Sequence, residues 1–534
     1  MFRARLAIGV LGVAALVGAA ACSGNDAETS VAVDETTTTA AKGSDPAATP
    51  GGKLTIGVES TPESLDPMFG NGGKGTASGA MAQDALYDEL AVRDADGAMQ
   101  PSVAESWEPN DDLTVWTVKI KTGISFSDGT ALDSAAVAAN YSFRADPANC
   151  RCATKWSKIT VAATDPATVT FTTTEPNAHL PETDFFEALA APSTLVPGAD
   201  RDRAPVGSGP FTLSDRDSLS FEKNPEHWRS DDNGQRLPYL DALQLAPIQD
   251  PTVRISALTR GEVDLMEVFD GPTLAQADED DAFTVDRAAG GTTLVIANLS
   301  RPAMQNLKVR QALGYAVDRE ALAQSYLPGA FEAAYSFFSS GTSIQVTGEY
   351  PKHDLARAKE LVAEIRAENV DLTTLKLVCA KLPEAEALIE VAKNQISEAG
   401  FDATLSMLDV GEYAAQVLGG GSDWDIACTR FPSLAGDPQG LADFLVTGRA
   451  ANAARYSNPD VDALFEQDRT TTDSAKRTAI YQKLADTMVR DLPYVPLLTS
   501  SIGTVAGPSA RGVVTTDLTW PTRPDTELLW RAES

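Results

Sequence analysis

The sequence predicts a mixed chain, an α+β part followed by an α/β part. Three observations carry that reading. At 534 residues, 43% hydrophobic and 22% charged, the chain has length for roughly three to four structural units of about 150 residues. It also has enough apolar content to bury a large core without help from metals or disulfides. In the first half, apolar residues alternate with polar ones in short strand-like runs. In the second half, strand-like runs are separated by helix-like ones, the order of a crossover unit in a parallel sheet.

The charge narrows the partners. Forty-three Lys and Arg stand against 75 Asp and Glu, a net of −32. A field of that sign repels phosphate backbones and anionic lipid head groups, so nucleic acid is excluded as a partner and electrostatics will not hold the chain on a membrane. The three histidines, His179, His227 and His353, are far apart in sequence, which argues against a His-built metal or catalytic centre. No cofactor is expected.

Residues 1–21 read as an export signal. Arg3 and Arg5 precede an uncharged stretch from Leu6 to Ala21, too short for the roughly 18–20 apolar residues that span a bilayer. It ends in Gly18-Ala19-Ala20-Ala21 directly before Cys22. That arrangement resembles a bacterial lipoprotein cleavage site, with Cys22 as the lipidated first residue; the alternative is an ordinary secretory signal with an incidental cysteine. Cleavage removes two arginines and no acid, so the mature charge becomes −34. Residues 22–52, rich in Ser, Thr, Ala, Asp and Glu, lack the apolar side chains that offset ordering entropy and are expected to be a flexible tether.

The folded part begins with the β-rich run Lys53–Val58. Trp116, Val118 and Ile120 alternate with Thr117, Lys119 and Lys121, the period of a half-buried strand, and Val169 and Phe171 repeat the pattern. Further on, Val309, Ala312, Leu313 and Ala316 share one face of a helix, as do Ala358, Leu361, Val362 and Ile365. A strand is expected at Leu375–Ala380, then a helix carrying Ile389, Ala392, Ile396 and Ala399, capped by Gly400. Strands follow at Phe401–Leu408 and Trp424–Thr429. No internal repeat is visible.

Four cysteines lie beyond Cys22. Cys379 and Cys428 each fall on a predicted strand of the α/β part, where a disulfide or two buried thiols are both open readings. Cys150 and Cys152 sit in a loop, close enough to pair only with strain. Neither pair supplies the arms of a zinc site. Gly70–Thr76 is glycine-rich, yet Met68 and Gly75 break the phosphate-loop pattern. Gly207-Ser208-Gly209 is flanked by Val206 and Pro210, which rules out a nucleophile elbow. Asp278–Asp281 is most simply a solvated face. No catalytic constellation survives, so an enzyme is not expected.

Several segments in fixed order resemble solute-binding protein family 5, the peptide- and nickel-type extracytoplasmic receptors of ABC importers. They are Ser64-Leu65-Asp66-Pro67, Tyr87-Asp88-Glu89-Leu90, Pro101–Glu108, Trp116–Lys119, Ile124–Thr130, Pro205–Phe211, Lys223–Trp228, Gly261–Leu265, Val309–Arg319, Tyr456–Pro459 and Pro493–Leu497. Most of these residues are scaffold: turn formers, and tryptophans such as Trp107, Trp116 and Trp228 that read as core.

The resemblance implies a two-lobed periplasmic-binding-protein fold of cluster C type, with an extra subdomain in the first lobe and a two-crossing hinge near Gly291–Leu294 and Leu498–Ser501. Residues 53–292 would form lobe I with a subdomain at about 68–205, residues 293–499 lobe II, and 500–534 a return to lobe I. It implies a monomer that captures a peptide or similar small polar solute and delivers it to an ABC permease. In the dipeptide branch an acid three places before an Asp-Pro anchors the ligand's ammonium; here Leu434 stands at that place, before Asp437-Pro438. Asp437 is an alternative anchor, or only a turn former. The remaining ligand candidates are Phe69, Asn71, Thr76, Asn298, Phe431 and Ser433, each of which also reads as an ordinary loop residue. Leu434 gives weight to a non-peptide solute: an oligosaccharide, an opine-like compound or a metal chelate. A secreted lipoprotein hydrolase and a sensor that does not transport are further readings.

Overall fold

The computed structural model describes residues 48–532 except 70–75, 95–97, 151, 186, 327–330, 337, 339–343, 345, 369, 371–373, 382–384, 432–437 and 515–522. The expected signal, Cys22 and most of the tether, together with Asn71, Ser433, Leu434 and Asp437, lie outside the described residues. Attachment begins slightly before Lys53, because Gly51 N donates to Tyr239 O (2.8 Å) and Gly52 N to Asp241 Oδ2 (3.1 Å).

Strand β1 (Lys53–Val58) opens the fold. Leu54, Ile56 and Val58, each 0% exposed, pack on Met81, Ala82 and Ala85 of helix Ala77–Leu86. A short pair, β2 (Ala91–Arg93) and β3 (Met99–Pro101), leads into a separate antiparallel sheet. That sheet holds β4 (Ala104–Pro109), β5 (Val115–Ile120), β6 (Ile159–Asp165) and β7 (Thr168–Thr173) in the order β4-β5-β7-β6. Trp116, Val118 and Ile120 are buried on one face with Val169 and Phe171, under helix Ser134–Arg144. The core of this subdomain runs from Leu90 to Ala191. Helix Ala77–Leu86 packs with β1.

The large sheet takes in β8 (Phe211–Asp215), β9 (Ser220–Lys223), β10 (Ala242–Pro247), β11 (Leu265–Val268) and β12 (Thr284–Ala297). It continues with β13 (Phe331–Ala333), β14 (Leu375–Ala380), β15 (Ala403–Leu408), β16 (Ile426–Phe431) and β17 (Tyr494–Ala506). Its order is β15-β14-β16-β12-β17-β11-β1-β10-β9-β8, with β13 added on β17. A two-stranded ladder, β18 (Ala510–Arg511) with β19 (Trp530–Arg531), closes the chain beside β1, where Arg531 Nη1 donates to Lys53 O (3.0 Å).

Two lobes follow from this order. Among the described residues only β12 and β17, antiparallel from Thr284↔Ala506 to Ile296↔Tyr494, run through both. The first half of β12 with the last half of β17 carries β11, β1 and β10, while the last half of β12 with the first half of β17 carries β16, β14 and β15. The ladder breaks between Ala289 and Thr292, and Ser500 Oγ donates to Gly291 O (3.2 Å) there. A Cβ on Gly290 would collide with Ser500 Oγ and stand 3.0 Å from Ser500 O, so only glycine fits this close approach. The second lobe is the expected α/β layer. Helices Leu307–Ala316, Leu355–Ala367 and Ala385–Glu398 bury Val309, Leu313, Leu361, Ile365, Ile389 and Ile396 against β14 and β16. Gly400, with φ +104°, ends the last of these.

Candidate crevice at the hinge

In open α/β sheets, ligands bind outside the carboxyl ends of the parallel strands. Here both lobes aim those ends at the hinge. In the first lobe β1 is parallel to β10 and β11, and β11 ends at Val268, opposite Gly503 of β17. In the second lobe β14 is parallel to β15 and β16, and β16 ends at Phe431, opposite Thr292, which in turn faces Thr499 of β17. Gly503 and Thr499 are four residues apart, roughly 14 Å at the rise of a strand. The carboxyl ends of β11 and β16 therefore lie on either side of the hinge and bound a crevice that it floors.

The expected ligand residues divide around it. Phe69, 38% exposed, lies on the loop leaving β1, where its N–H closes a turn onto Asp66 O (3.0 Å). Asp66 is itself pinned by Arg201 Nε (2.8 Å). Thr76 caps helix Ala77–Leu86, accepting from Gly79 N (3.1 Å). Its hydroxyl is 3.3 Å from Ser78 Oγ, which is 2.9 Å from Ser60 Oγ. This hydroxyl row ties the helix N-terminus to the loop after β1. Phe431 stands at the hinge end of β16.

Asn298 is a correction. It follows the other end of β12, away from the hinge, and is 1% exposed. Its Nδ2 donates to Trp424 O (2.8 Å), and its Oδ1 accepts from Ser300 Oγ (2.6 Å) and Ser300 N (3.2 Å). The side chain bridges two chain segments at the end of β12 away from the hinge.

The residue that sequence patterning passed over is Glu267. It sits in the apolar run Leu265-Met266-Glu267-Val268, on the strand face that also buries Leu265, and is 1% exposed. Oε1 accepts from Glu59 N (2.5 Å), the first residue beyond β1, while Oε2 has no hydrogen-bond partner. Burial pushes this carboxyl up to about 7; the Glu59 amide and the Arg254 guanidinium pull it down, and the Glu59 charge adds to the rise. Arg254 is fixed beside it, donating Nε to Glu267 O (3.1 Å). The exposed Glu59 and the buried Glu267 thus put two acids at the carboxyl edge of the first lobe. The signal in the sequence was one charge inside an apolar strand.

Cys379 and Cys428, opposite each other on β14 and β16, are joined by a disulfide with Cα atoms 5.0 Å apart. Cys150 and Cys152 are joined as well, across 5.0 Å between Cα atoms. Among the described residues no group of His, Cys, Asp or Glu stands at metal-holding spacing, and no helix is long and apolar enough to cross a membrane.

Residues 98–453 match the family model described as bacterial extracellular solute-binding proteins, family 5 Middle. The glutathione-binding protein GsiB of Escherichia coli (strain K12) is 27% identical over 476 residues, covering 84% of this chain and 89% of that protein. The ABC transporter substrate binding protein CtaP from Listeria monocytogenes superposes with a TM-score of 0.79 at 23% identity, over 91% of this chain and 100% of that one. HbpA2 from Haemophilus parasuis gives a TM-score of 0.79 at 20% identity, over 90% and 100%. At such identities these two likenesses concern the fold.

Proposed function

The chain belongs to the bacterial extracellular solute-binding proteins, family 5, and on that footing we propose that it is the receptor of an ABC importer for a short peptide or a similar small polar solute bearing a cationic group. The observation that carries this reading is the crevice, where the carboxyl edges of both lobes meet at a two-strand hinge and a buried acid waits with one oxygen unpaired. An ammonium placed against Glu267 and Glu59 would supply the missing partner and hold both carboxylates ionised. That would replace the anchor lost where Leu434 stands. Glutathione, which a relative is named for binding, carries such an ammonium. Closure over the solute is a population shift, because both lobes touch it only when they are together.

The same reading takes in the expected boundaries: a signal at 1–21, a tether at 22–52 lipidated on Cys22, lobe I at 53–292 with 500–534, and lobe II at 293–499. Family 5 receptors are extracytoplasmic, and the lipid would hold an acidic monomer at the outer face of the membrane, where burial of acyl CH₂ groups outweighs repulsion. Leu434 favours a second reading, a non-peptide solute such as an opine-like compound, an oligosaccharide or a metal chelate.

Native mass spectrometry of the exported chain, purified from rich medium without denaturation, separates the two. A ladder of adducts that sums to amino-acid residues, or the mass of glutathione, is the expected result. One discrete non-peptide mass would transfer the protein to the second reading.

A further inference from the structure

The lobes also meet far from the hinge. Segment Glu175–His179 leaves β7 of the subdomain and ends against the last turn of helix Pro459–Arg469 in the second lobe. Ala178 N donates to Arg469 O (2.8 Å). His179 Nε2 lies 2.7 Å from Asp468 O and 3.3 Å from Asp468 Oδ2, and Arg469 Nη1 donates to Glu175 Oε2 (2.9 Å). His179 is 1% exposed and Asp468 is 0% exposed.

Each half is held in place by its own lobe. Arg477 Nε and Tyr481 OH both donate to the Asp468 carboxylate at 2.9 Å. On the other side His179 N donates to Asn177 Oδ1 (3.0 Å), Asn177 O accepts from Trp116 Nε1 (2.9 Å), and Thr183 Oγ1 donates to His179 O (2.9 Å). Two preformed surfaces, 289 residues apart, therefore dock without either having to reorganise.

We propose that His179 and the Asp468–Arg469 turn form a clasp that holds the lobes closed and sets how much of the solute-free receptor is ready to bind. The inference rests on the two-lobed receptor reading. Rotation about the Ala289–Thr292 break carries the subdomain away from helix Pro459–Arg469, so the clasp exists only in the closed arrangement. Apparent affinity scales with the fraction of chains in the binding-competent form. His179 thus acts as a positioning residue, remote from the solute, whose removal weakens binding by depopulating the closed state. A buried hydrogen-bonded pair of this kind shifts a two-state ratio on the order of tenfold.

The test is a distance distribution in the solute-free full chain, from spin labels at Lys158→Cys in the subdomain and Lys483→Cys in the second lobe, both exposed. The wild-type background is expected to populate mostly the short distance. His179→Ala moves the short-to-long ratio about tenfold toward long, Arg469→Ala moves it less in the same direction, and His179→Gln, which keeps a side-chain donor, restores most of the short population. Identical mixtures in the wild type and in all three variants would overturn the clasp and leave the receptor reading standing. A single short distance in every protein would overturn both, since the lobes then never part. Should His179→Ala lose its melting transition, Arg469→Ala and His179→Gln decide the matter alone.

Discussion

Glu267 is a charge placed where its neighbours are apolar, and its cost follows from burial. The folded carboxyl titrates near 7 against an ordinary value of 4.5. Its contribution to stability is therefore complete below about pH 4.5 and is lost as pH rises through about 7. Glu267→Gln keeps the size and the acceptor for Glu59 N, and removes the titration. Denaturant unfolding at pH 5 and pH 8 is expected to show the wild type losing up to roughly 3 kcal/mol more than Glu267→Gln over that window. Equal pH dependence of the two proteins would mean that Glu267 is already paired in solution. The same variant should bind an amine-bearing solute more weakly, so the substitution stabilises the fold at pH 8 while damaging the site. At this scale the sequence was legible only in part. Thr76, read as a loop residue, stands as the cap of helix Ala77–Leu86, and Phe431, also read as a loop residue, is the last residue of strand β16. Asn298 stands at the other end of β12 as a bridge between segments, and spacing alone cannot tell which end of that strand faces the crevice. Glu267 gave a visible signal, one acid in an apolar strand, whose meaning depended on β1 arriving beside it from 208 residues away.

The elements that were easiest to read are those whose burial is one-sided. β5 alternates because one face is core, and the helices of the second lobe show a stripe because they lie on a sheet. β12 and β17 gave no such pattern. They are 14 and 13 residues long and pass from the core of one lobe to that of the other, and β17 is buried on both faces over most of its length, so no alternation shows. Their irregularity is where function enters. With Ala289–Thr292 out of register, the sheet is least continuous where it must bend. Gly290→Ala pushes a methyl group into Ser500 Oγ and to within 3.0 Å of Ser500 O. Ile502 Cγ2 also stands 3.0 Å away, so turning the Ser500 hydroxyl aside does not by itself relieve the collision. The expected cost is about 1–3 kcal/mol, of the size measured for overpacking, and calorimetry checks it. Hydrogen exchange should show the extra opening confined to residues near 289–292 and 499–501. A loss spread evenly over both lobes would argue against a local hinge.

Viewed as a whole, the molecule is two acidic bodies facing each other across a crevice. Residues 293–499 hold 19 Lys and Arg against 27 Asp and Glu, a net of −8, and residues 53–292 with 500–534 hold 21 against 43, a net of −22. Like charges oppose closure, while the buried contacts of the proposed His179–Asp468 clasp favour it. These forces answer differently to salt. The Debye length falls from about 30 Å at 10 mM to about 10 Å at 0.1 M, so long-range repulsion between lobes is screened, whereas groups that exclude water are barely affected. Adding NaCl over that range is therefore expected to compact the solute-free chain, measured as a fall in its radius of gyration by X-ray scattering. The exposed Arg469–Glu175 pair pulls the other way, but it is one surface pair, worth about 0–1 kcal/mol at most, against a field set by tens of charges. Expansion with salt would show that pairs of that kind, and not the mutual repulsion of the lobes, govern the opening. Compaction would mean that a cationic solute entering beside Glu59 and Glu267 acts twice, once by pairing with the acids and once by lowering the charge that keeps the lobes apart.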